Sequence, residues 1–212
     1  MRRLTYLLPM LLVSTDAGAQ IIRPKFGIQP PTAWVSAGAA LQQAWTVTDG
    51  TTGSRWAFGS ATTYGGALEK TTSSGVGVGI RGSTGVVPLS YVGPAATSAA
   101  NARVSQLFGT IRMANGQGFH SVLELSAGAT NYSEFRSQTG NVQLAPLTGD
   151  TDFSFAFGYG FGYSFSPRVS IDVVQDVTTS VHQKDGLSAS DDSTVRLHAT
   201  RLMGRIGLGG RR

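Results

Sequence analysis

TDFSFAFGYGFGYSF, residues 151–165, is the stretch of the chain that decides its fold. Every odd position from Phe153 to Phe165 is aromatic, and every even position from Asp152 to Ser164 is Asp, Ser, Ala or Gly. Successive side chains of a β-strand point to opposite faces, so this alternation predicts a strand with one aromatic face and one small, polar face. The character of the other segments then indicates which face points outward.

Seven further segments share this period of two, and none of them has a convincing helical period. In residues 168–179, Val173 lies on one face, and Asp172 and Asp176 lie on the other. Most segments run to about ten residues or more, which is typical of tilted membrane strands. In the last segment the phase changes near Arg201–Leu202, which predicts a bulge. The seven segments are 33–47, 55–64, 75–82, 103–113, 119–130, 168–179 and 194–208.

The predicted connections alternate strictly between short and long. The short ones include the Asn115-Gly116-Gln117 turn, and Asn-Gly is a strong hairpin signal. Short turns on one side and long loops on the other are typical of outer-membrane barrels. The sequence therefore predicts an all-β fold, an eight-stranded antiparallel up-and-down transmembrane β-barrel with a filled polar lumen. The short connections are 65–71, 115–117 and 166–167, and the long ones are 48–54, 83–101, 132–150 and 181–193.

The N-terminal residues have the pattern of a secretory signal peptide. Arg2 and Arg3 precede an apolar stretch at 4–13, and Ala17-Gly18-Ala19 matches a cleavage site. Ten apolar residues that include a proline are too short to span roughly 30 Å of hydrocarbon. We predict a signal peptide over 1–19, an extended lead-in over 20–31 and a barrel over 32–212.

Composition excludes several classes of protein. With no cysteine, the chain has no disulfide framework, thiol nucleophile or Cys-based metal site. A charged fraction of only 14% excludes a disordered charged tail. Apart from the pairs at the two termini, the arginines are spread singly along the chain instead of clustering on one face, so we expect no nucleic-acid partner.

The chain resembles the small outer-membrane barrels of the OmpA/OmpX type, over roughly residues 32–209. The most similar stretch is 153–179, where a Gly/aromatic strand turns at Ser166-Pro167 into RVSIDVVQDVTT. The resemblance implies export to the bacterial outer membrane, insertion by the barrel-assembly machinery, contact with outer-membrane lipids and lipopolysaccharide, and a monomeric state. The extracellular ligand stays unknown. One departure is that the last strand lacks the C-terminal aromatic residue usual in this group.

In such a barrel the small, polar faces point into the lumen, where buried charges must be paired. We predict a structural network of ion pairs with Glu124 as its central acceptor, and a gated ion or proton path is the alternative. The aromatic residues of 151–165 then face lipid. The predicted lumen network is Arg55, Arg81, Arg112, His120, Glu124, Asp172, Asp176, Arg196 and His198, and the lipid-facing stripe is Phe153, Phe155, Phe157, Tyr159, Phe161, Tyr163 and Phe165.

No motif in the chain indicates an enzyme, a cofactor or a metal. The G-x-G-x-x-G match at 77–82 falls on a strand with no helix after it, so the glycines are interpreted as small lumen residues. His120 and Glu124 lie about 13 Å apart on a strand, too far for one ion. Asp150 and Asp152 are interpreted as solvated loop acids, and a site for a divalent or lipopolysaccharide-bridging cation is the alternative. We expect no catalytic, cofactor-binding or metal-binding residues.

The predicted function is a structural, adhesion or envelope-interaction role carried by the external loops. Three alternatives stay open: a narrow pore for small solutes or ions, a lipid-modifying outer-membrane enzyme, and a soluble lipocalin-like ligand-binding barrel. The polar lumen argues against the lipocalin-like alternative, because a cavity for an apolar ligand is itself largely apolar.

Overall fold

The computed structural model describes residues 31–49, 52–93, 97–114, 118–182 and 194–209. The predicted signal peptide and nearly all of the lead-in lie outside these residues. Within them, no helix is long and apolar enough to cross a membrane. The strands are β1 (Ala33–Gln42), β2 (Trp45–Asp49), β3 (Ser54–Phe58), β4 (Ala61–Thr71), β5 (Gly77–Val92), β6 (Thr97–Ala114), β7 (Gly118–Ser137), β8 (Asp150–Ser166), β9 (Val169–Val181) and β10 (Thr194–Leu208).

The strands form one closed antiparallel sheet. β1 pairs with β10 on one side and with β4 on the other, and the pairing of β5 with β6 completes the ring. β1 and β2 are two parts of one barrel strand interrupted at residues 43–44, and β3 and β4 are two parts of another interrupted at 59–60. The barrel therefore has eight strands in up-and-down order, and the predicted fold class is confirmed.

Several strands are longer than the sequence indicated. β5 to β8 have 16, 18, 20 and 17 residues, so most of the predicted loop at 83–101 is strand. The predicted turn at 65–71 also lies inside β4, and the true turn follows at 72–76. At about 3.3 Å per residue and a tilt of about 40°, a 20-residue strand rises about 50 Å. That is twice the ~25 Å apolar band of a membrane barrel, so the longest strand has an upper half beyond such a band, and the other three extend beyond it by a smaller distance.

The two halves of the barrel differ in which face is apolar, and β10 shows the change along one strand. Its odd positions point inward throughout, and its register with β9 and β1 has no shift. The inward residues are apolar at Val195 and Leu197 and basic at Arg201 and Arg205. The predicted bulge near Arg201–Leu202 is therefore wrong. At this point the type of residue on each face changes, whereas the alternation of inward and outward side chains continues.

This change corrects three predicted lumen residues. Arg55 and Arg196 are exposed on the outer face, and His198 is half-buried there. The prediction assumed that their apolar neighbours faced outward along the whole strand. In the upper half those neighbours, such as Trp56 and Leu197, pack inside the barrel and turn the polar residues toward the outside.

The aromatic stripe of β8 lies on the outer face of the barrel. Its seven rings are between 44% and 67% exposed, whereas the alternate small residues line the interior. Phe119 of β7 stacks on Phe161 with ring centroids 5.4 Å apart, which extends this aromatic surface to the neighbouring strand. The stripe therefore forms part of a wide apolar outer belt.

Candidate functional site

The barrel interior contains two groups of charged residues separated by apolar packing. We call the charged group toward the short turns the basal network, and the charged group at the ends of β2, β8 and β9 the mouth cluster. The apolar side chains that fill the upper lumen between them are called the plug. The basal network is Glu69, Arg81, Arg112, His120, Glu124, Asp172, Asp176, Arg201 and Arg205; the plug includes Trp45, Trp56, Phe58, Tyr132, Phe135 and Leu197; and the mouth cluster is Asp49, Asp150, Asp152 and His182.

Two arginines and two carboxylates form the centre of the basal network. Arg201 donates to both Asp176 and Glu124, at 2.9 and 3.1 Å. Arg81 contacts the same two carboxylates at 2.9 and 3.2 Å. Each carboxylate therefore lies between two guanidinium groups, an arrangement that satisfies charge and hydrogen bonding together.

The lower part of the network joins this centre through Arg112, whose Nη1 atom lies 3.9 Å from Glu124 Oε2. Arg112 donates to Asp172 at 2.7 Å, and His120 Nε2 lies 3.3 Å from the other oxygen of Asp172. Arg205 pairs with Glu69, and Arg112 also lies 3.9 Å from Glu69. The four arginines and four carboxylates of the network carry equal and opposite formal charge, so it is electrically balanced when His120 is neutral.

Six of the nine predicted lumen residues lie in this network, and three of its members were missed. Glu69 was placed in a turn, and Arg201 and Arg205 lay beyond the predicted bulge. The alternation is unbroken from Val195 to Arg205, so both arginines share a face with Val195, and the structure shows this to be the inner face. The six residues that the structure brings together are Arg81, Arg112, His120, Glu124, Asp172 and Asp176.

Glycines on the inner face of β8 provide the space for this network. A Cβ atom on Gly162 would overlap both Asp172 Oδ1 and His120 Nε2. A Cβ atom on Gly158 would lie 2.8 Å from Asp176 Oδ1. The small face seen in residues 151–165 is therefore complementary to the buried carboxylates of β9.

The lumen is narrow at the level of the network. A cavity of about 30 Å³ lies beside Arg81, Asp176 and Arg201, enough for one or two water molecules. A wider vestibule of about 210 Å³ lies toward the short turns, lined in part by Trp34 and His120. The vestibule thus narrows sharply where the ion pairs begin.

Aromatic side chains fill the upper lumen. Trp56 is fully buried, and its ring lies 4.6 Å from Phe135 and 5.8 Å from Tyr132. Trp45 stacks on Phe58 at 4.5 Å. This plug has the composition of a soluble protein core, although it lies inside a barrel whose lower lumen is charged.

The mouth cluster surrounds His182. The imidazole Nδ1 lies 2.8 Å from Asp152 Oδ1 and 3.4 Å from Asp150 Oδ2, and Nε2 lies 3.9 Å from Asp49 Oδ1. Burial by itself lowers the pKa of His182, but the hydrogen bond to Asp152 and the nearby carboxylate charges outweigh burial and raise it. Asp152 is 1% exposed and Asp150 is half-buried, so their interpretation as solvated loop acids is wrong.

Comparison with known proteins identifies the fold. No protein-family model and no curated protein matches the sequence. Neisserial surface protein A (NspA) is structurally similar, with a TM-score of 0.50 and 13% identity over 86% of this chain and 99% of that chain. The outer membrane protein OprG from Pseudomonas aeruginosa has a TM-score of 0.43 and 10% identity, covering 87% and 97%. Ail of Yersinia pestis has a TM-score of 0.42 and 14% identity, covering 84% and 99%.

The likeness to NspA is one of fold. Together with the closed ring of eight strands, it confirms the predicted resemblance to small outer-membrane barrels. The function of this chain must be argued from its own surfaces and interior.

Proposed function

We propose that the protein is a closed barrel of the bacterial outer membrane, with a structural or surface-interaction role carried by its upper half. The observation that carries this proposal is that side chains fill the lumen at two levels, the basal network at one and the plug at the other. An exported, monomeric barrel in contact with outer-membrane lipids and lipopolysaccharide accounts for this interior and for the outer surface.

The outer belt of the lower half supports a membrane location. Leu68, Ile80, Leu125 and Ile206 are each at least half exposed, and they lie on the same face of the sheet as the β8 stripe. A contiguous apolar surface of this kind favours aggregation in water and is stable in lipid. The lower lumen is polar, which complements the apolar outer surface as expected for a barrel surrounded by lipid.

The upper half supports a role in surface interaction. Its interior is a packed apolar core, and its outer face includes polar groups such as Asn131 and the exposed Arg103–Glu134 ion pair, at 2.9 Å. A rigid sheet that extends beyond the membrane band presents such groups in fixed positions. We propose that this face and the adjoining loops contact other envelope components or external surfaces.

Fractionation of bacterial cells tests the location. We expect the protein in the outer-membrane fraction, with an electrophoretic mobility that changes on boiling, because a stable barrel resists unfolding in detergent. Recovery as a soluble periplasmic or secreted protein would contradict the proposal and favour a ligand-binding barrel.

Planar-bilayer recording tests whether the barrel is closed. We expect no discrete conductance steps, because the ion pairs and the plug obstruct the lumen at two levels. Reproducible steps would favour the narrow pore. Mass spectra of lipid A from cells with and without the protein test the enzyme alternative, and we expect identical spectra.

A further inference from the structure

The mouth cluster brings three side chains that can act as metal ligands close together. Asp49 ends β2, Asp150 and Asp152 begin β8, and His182 follows β9, so the closed ring brings together residues far apart in the chain. Asp49, Asp150 and His182 each offer one ligand atom, and these three atoms lie within 4.8 Å of one another. Atoms bound to one ion at about 2.1 Å lie up to about 4.2 Å apart. A small side-chain adjustment would therefore bring all three onto a common ion.

Buried polar atoms in the cluster provide a second, independent observation. Neither His182 Nε2 nor Asp152 Oδ2 has a hydrogen-bond partner within the part of the chain that the structure describes, and both residues are 1% exposed. Buried polar atoms are nearly always paired with protein, water or an ion. The 3.9 Å between His182 Nε2 and Asp49 Oδ1 is too long for a hydrogen bond, but suits two ligands of one ion.

The contacts of the other carboxylate oxygens indicate which atoms would bind. Asp49 Oδ2 accepts a hydrogen bond from Thr52, and Asp150 Oδ1 accepts one from the backbone N–H of Thr151 at 2.8 Å. The remaining oxygens lie beside the imidazole, Asp49 Oδ1 at 3.9 Å from Nε2 of His182 and Asp150 Oδ2 at 3.4 Å from Nδ1.

Asp152 has a different position from the other two acids. Its Oδ1 lies 2.8 Å from His182 Nδ1 and accepts a hydrogen bond from the Nδ1–H group. With the proton on Nδ1, the lone pair of His182 lies on Nε2. A carboxylate that orients a histidine in this way is the usual outer partner of a histidine metal ligand.

We propose that the mouth cluster binds one divalent transition-metal ion through His182, Asp49 and Asp150, with Asp152 orienting His182. An imidazole combined with carboxylates suits Zn²⁺ or Mn²⁺, whereas Mg²⁺ and Ca²⁺ prefer oxygen ligands alone. The ion would join the ends of β2 and β8 to the segment after β9. It would lie close to the plug, because His182 packs against Trp56 with ring centroids 5.6 Å apart.

Zinc titration of the full-length protein in detergent micelles tests this site. After treatment with a chelator and its removal, we expect binding of one Zn²⁺ per chain, a rise in the melting temperature and a change in tryptophan fluorescence. Equimolar Mg²⁺ or Ca²⁺ should give a much smaller response. The fluorescence readout follows from the contact between His182 and Trp56.

Variants assign the binding to the cluster. His182→Ala should abolish the stoichiometric binding, whereas His198→Ala, on the outer face, should leave it unchanged. Asp150→Asn, at a half-buried position, keeps the shape of the side chain and should weaken zinc binding at least tenfold without unfolding the barrel. Equal zinc affinity in the native protein, the Asp150→Asn variant and the His182→Ala variant would overturn the proposal, as would the lack of stoichiometric binding by the native protein.

Discussion

The lower and upper halves of this barrel bury different kinds of side chain in the lumen. In the lower half, charged side chains lie inside and apolar ones outside. In the upper parts of β3 and β10, apolar side chains such as Trp56 and Leu197 lie inside, and the neighbouring Arg55 and Arg196 lie outside. The pleat and the register of β10 continue through the change, so the strand itself does not differ. Under the proposed membrane location, lipid around the lower half and water around the upper half account for this difference.

The interior charges differ between the halves as well. The basal network matches four arginines with four carboxylates, whereas His182 is the described ion-pair partner of both Asp150 and Asp152 in the mouth cluster. In a balanced network the attraction between paired charges offsets the cost of removing them from water, because every charge has a partner. The mouth cluster has an excess of carboxylates and therefore favours an added cation, which the balanced basal network does not need.

The largest expected effect comes from breaking the basal network at its centre. Glu124→Ala leaves Arg81 and Arg201 with one carboxylate partner fewer and should destabilise the barrel by about 3–5 kcal/mol. Glu134→Ala is the matched control, because Glu134 pairs with Arg103 at the exposed surface and should contribute little. Thermal unfolding in detergent measures both, and an unchanged melting temperature for Glu124→Ala would refute the structural role of the network.

A smaller effect should follow from placing the same charge on the outer face of each half. Leu125→Arg puts a guanidinium in the apolar belt and should cost about 2–4 kcal/mol if the position lies near the bilayer midplane. His198→Arg puts the same group on the outer face of the upper half, where it should change stability little. Unfolding of both variants in lipid bilayers measures this difference. Equal costs would mean that one medium surrounds both halves.

The sequence indicated the lower half well, because there each strand has an apolar outer face and a small or charged inner face. Residues 151–165 alternate without exception along nearly the whole of β8, which lies where it was predicted. The same rule was wrong for Arg55, Arg196 and His198, because alternation alone does not reveal where the surrounding medium changes. The apparent phase change near Arg201 was the signal of that boundary, and it was interpreted as a bulge.

Two further features were beyond local patterns. Glu69 was missed because Gly65-Gly66 suggests a turn, whereas these glycines lie inside β4 at close backbone contacts; a Cβ on Gly66 would lie 2.8 Å from the carbonyl oxygen of Ser36. The mouth cluster joins Asp49, Asp150 and His182, which only ring closure brings together. Such a constellation has no spacing that a single sequence would reveal.

The smallest expected effect concerns the space that glycine leaves inside the lower half. Gly162→Ala would place a methyl group where Asp172 and His120 meet, and the displacement of the buried carboxylate should cost about 1–3 kcal/mol. Gly204→Ala is the control on the outer face of β10, where the nearest atom to a new Cβ, the carbonyl oxygen of Ala37, is 3.9 Å away. The control should retain the native melting temperature, because lipid or detergent molecules can move away from the added methyl group, whereas the buried Asp172 carboxylate cannot. If both substitutions cost the same, the loss reflects backbone preference alone, and the small face of β8 does not serve the ion pairs of β9.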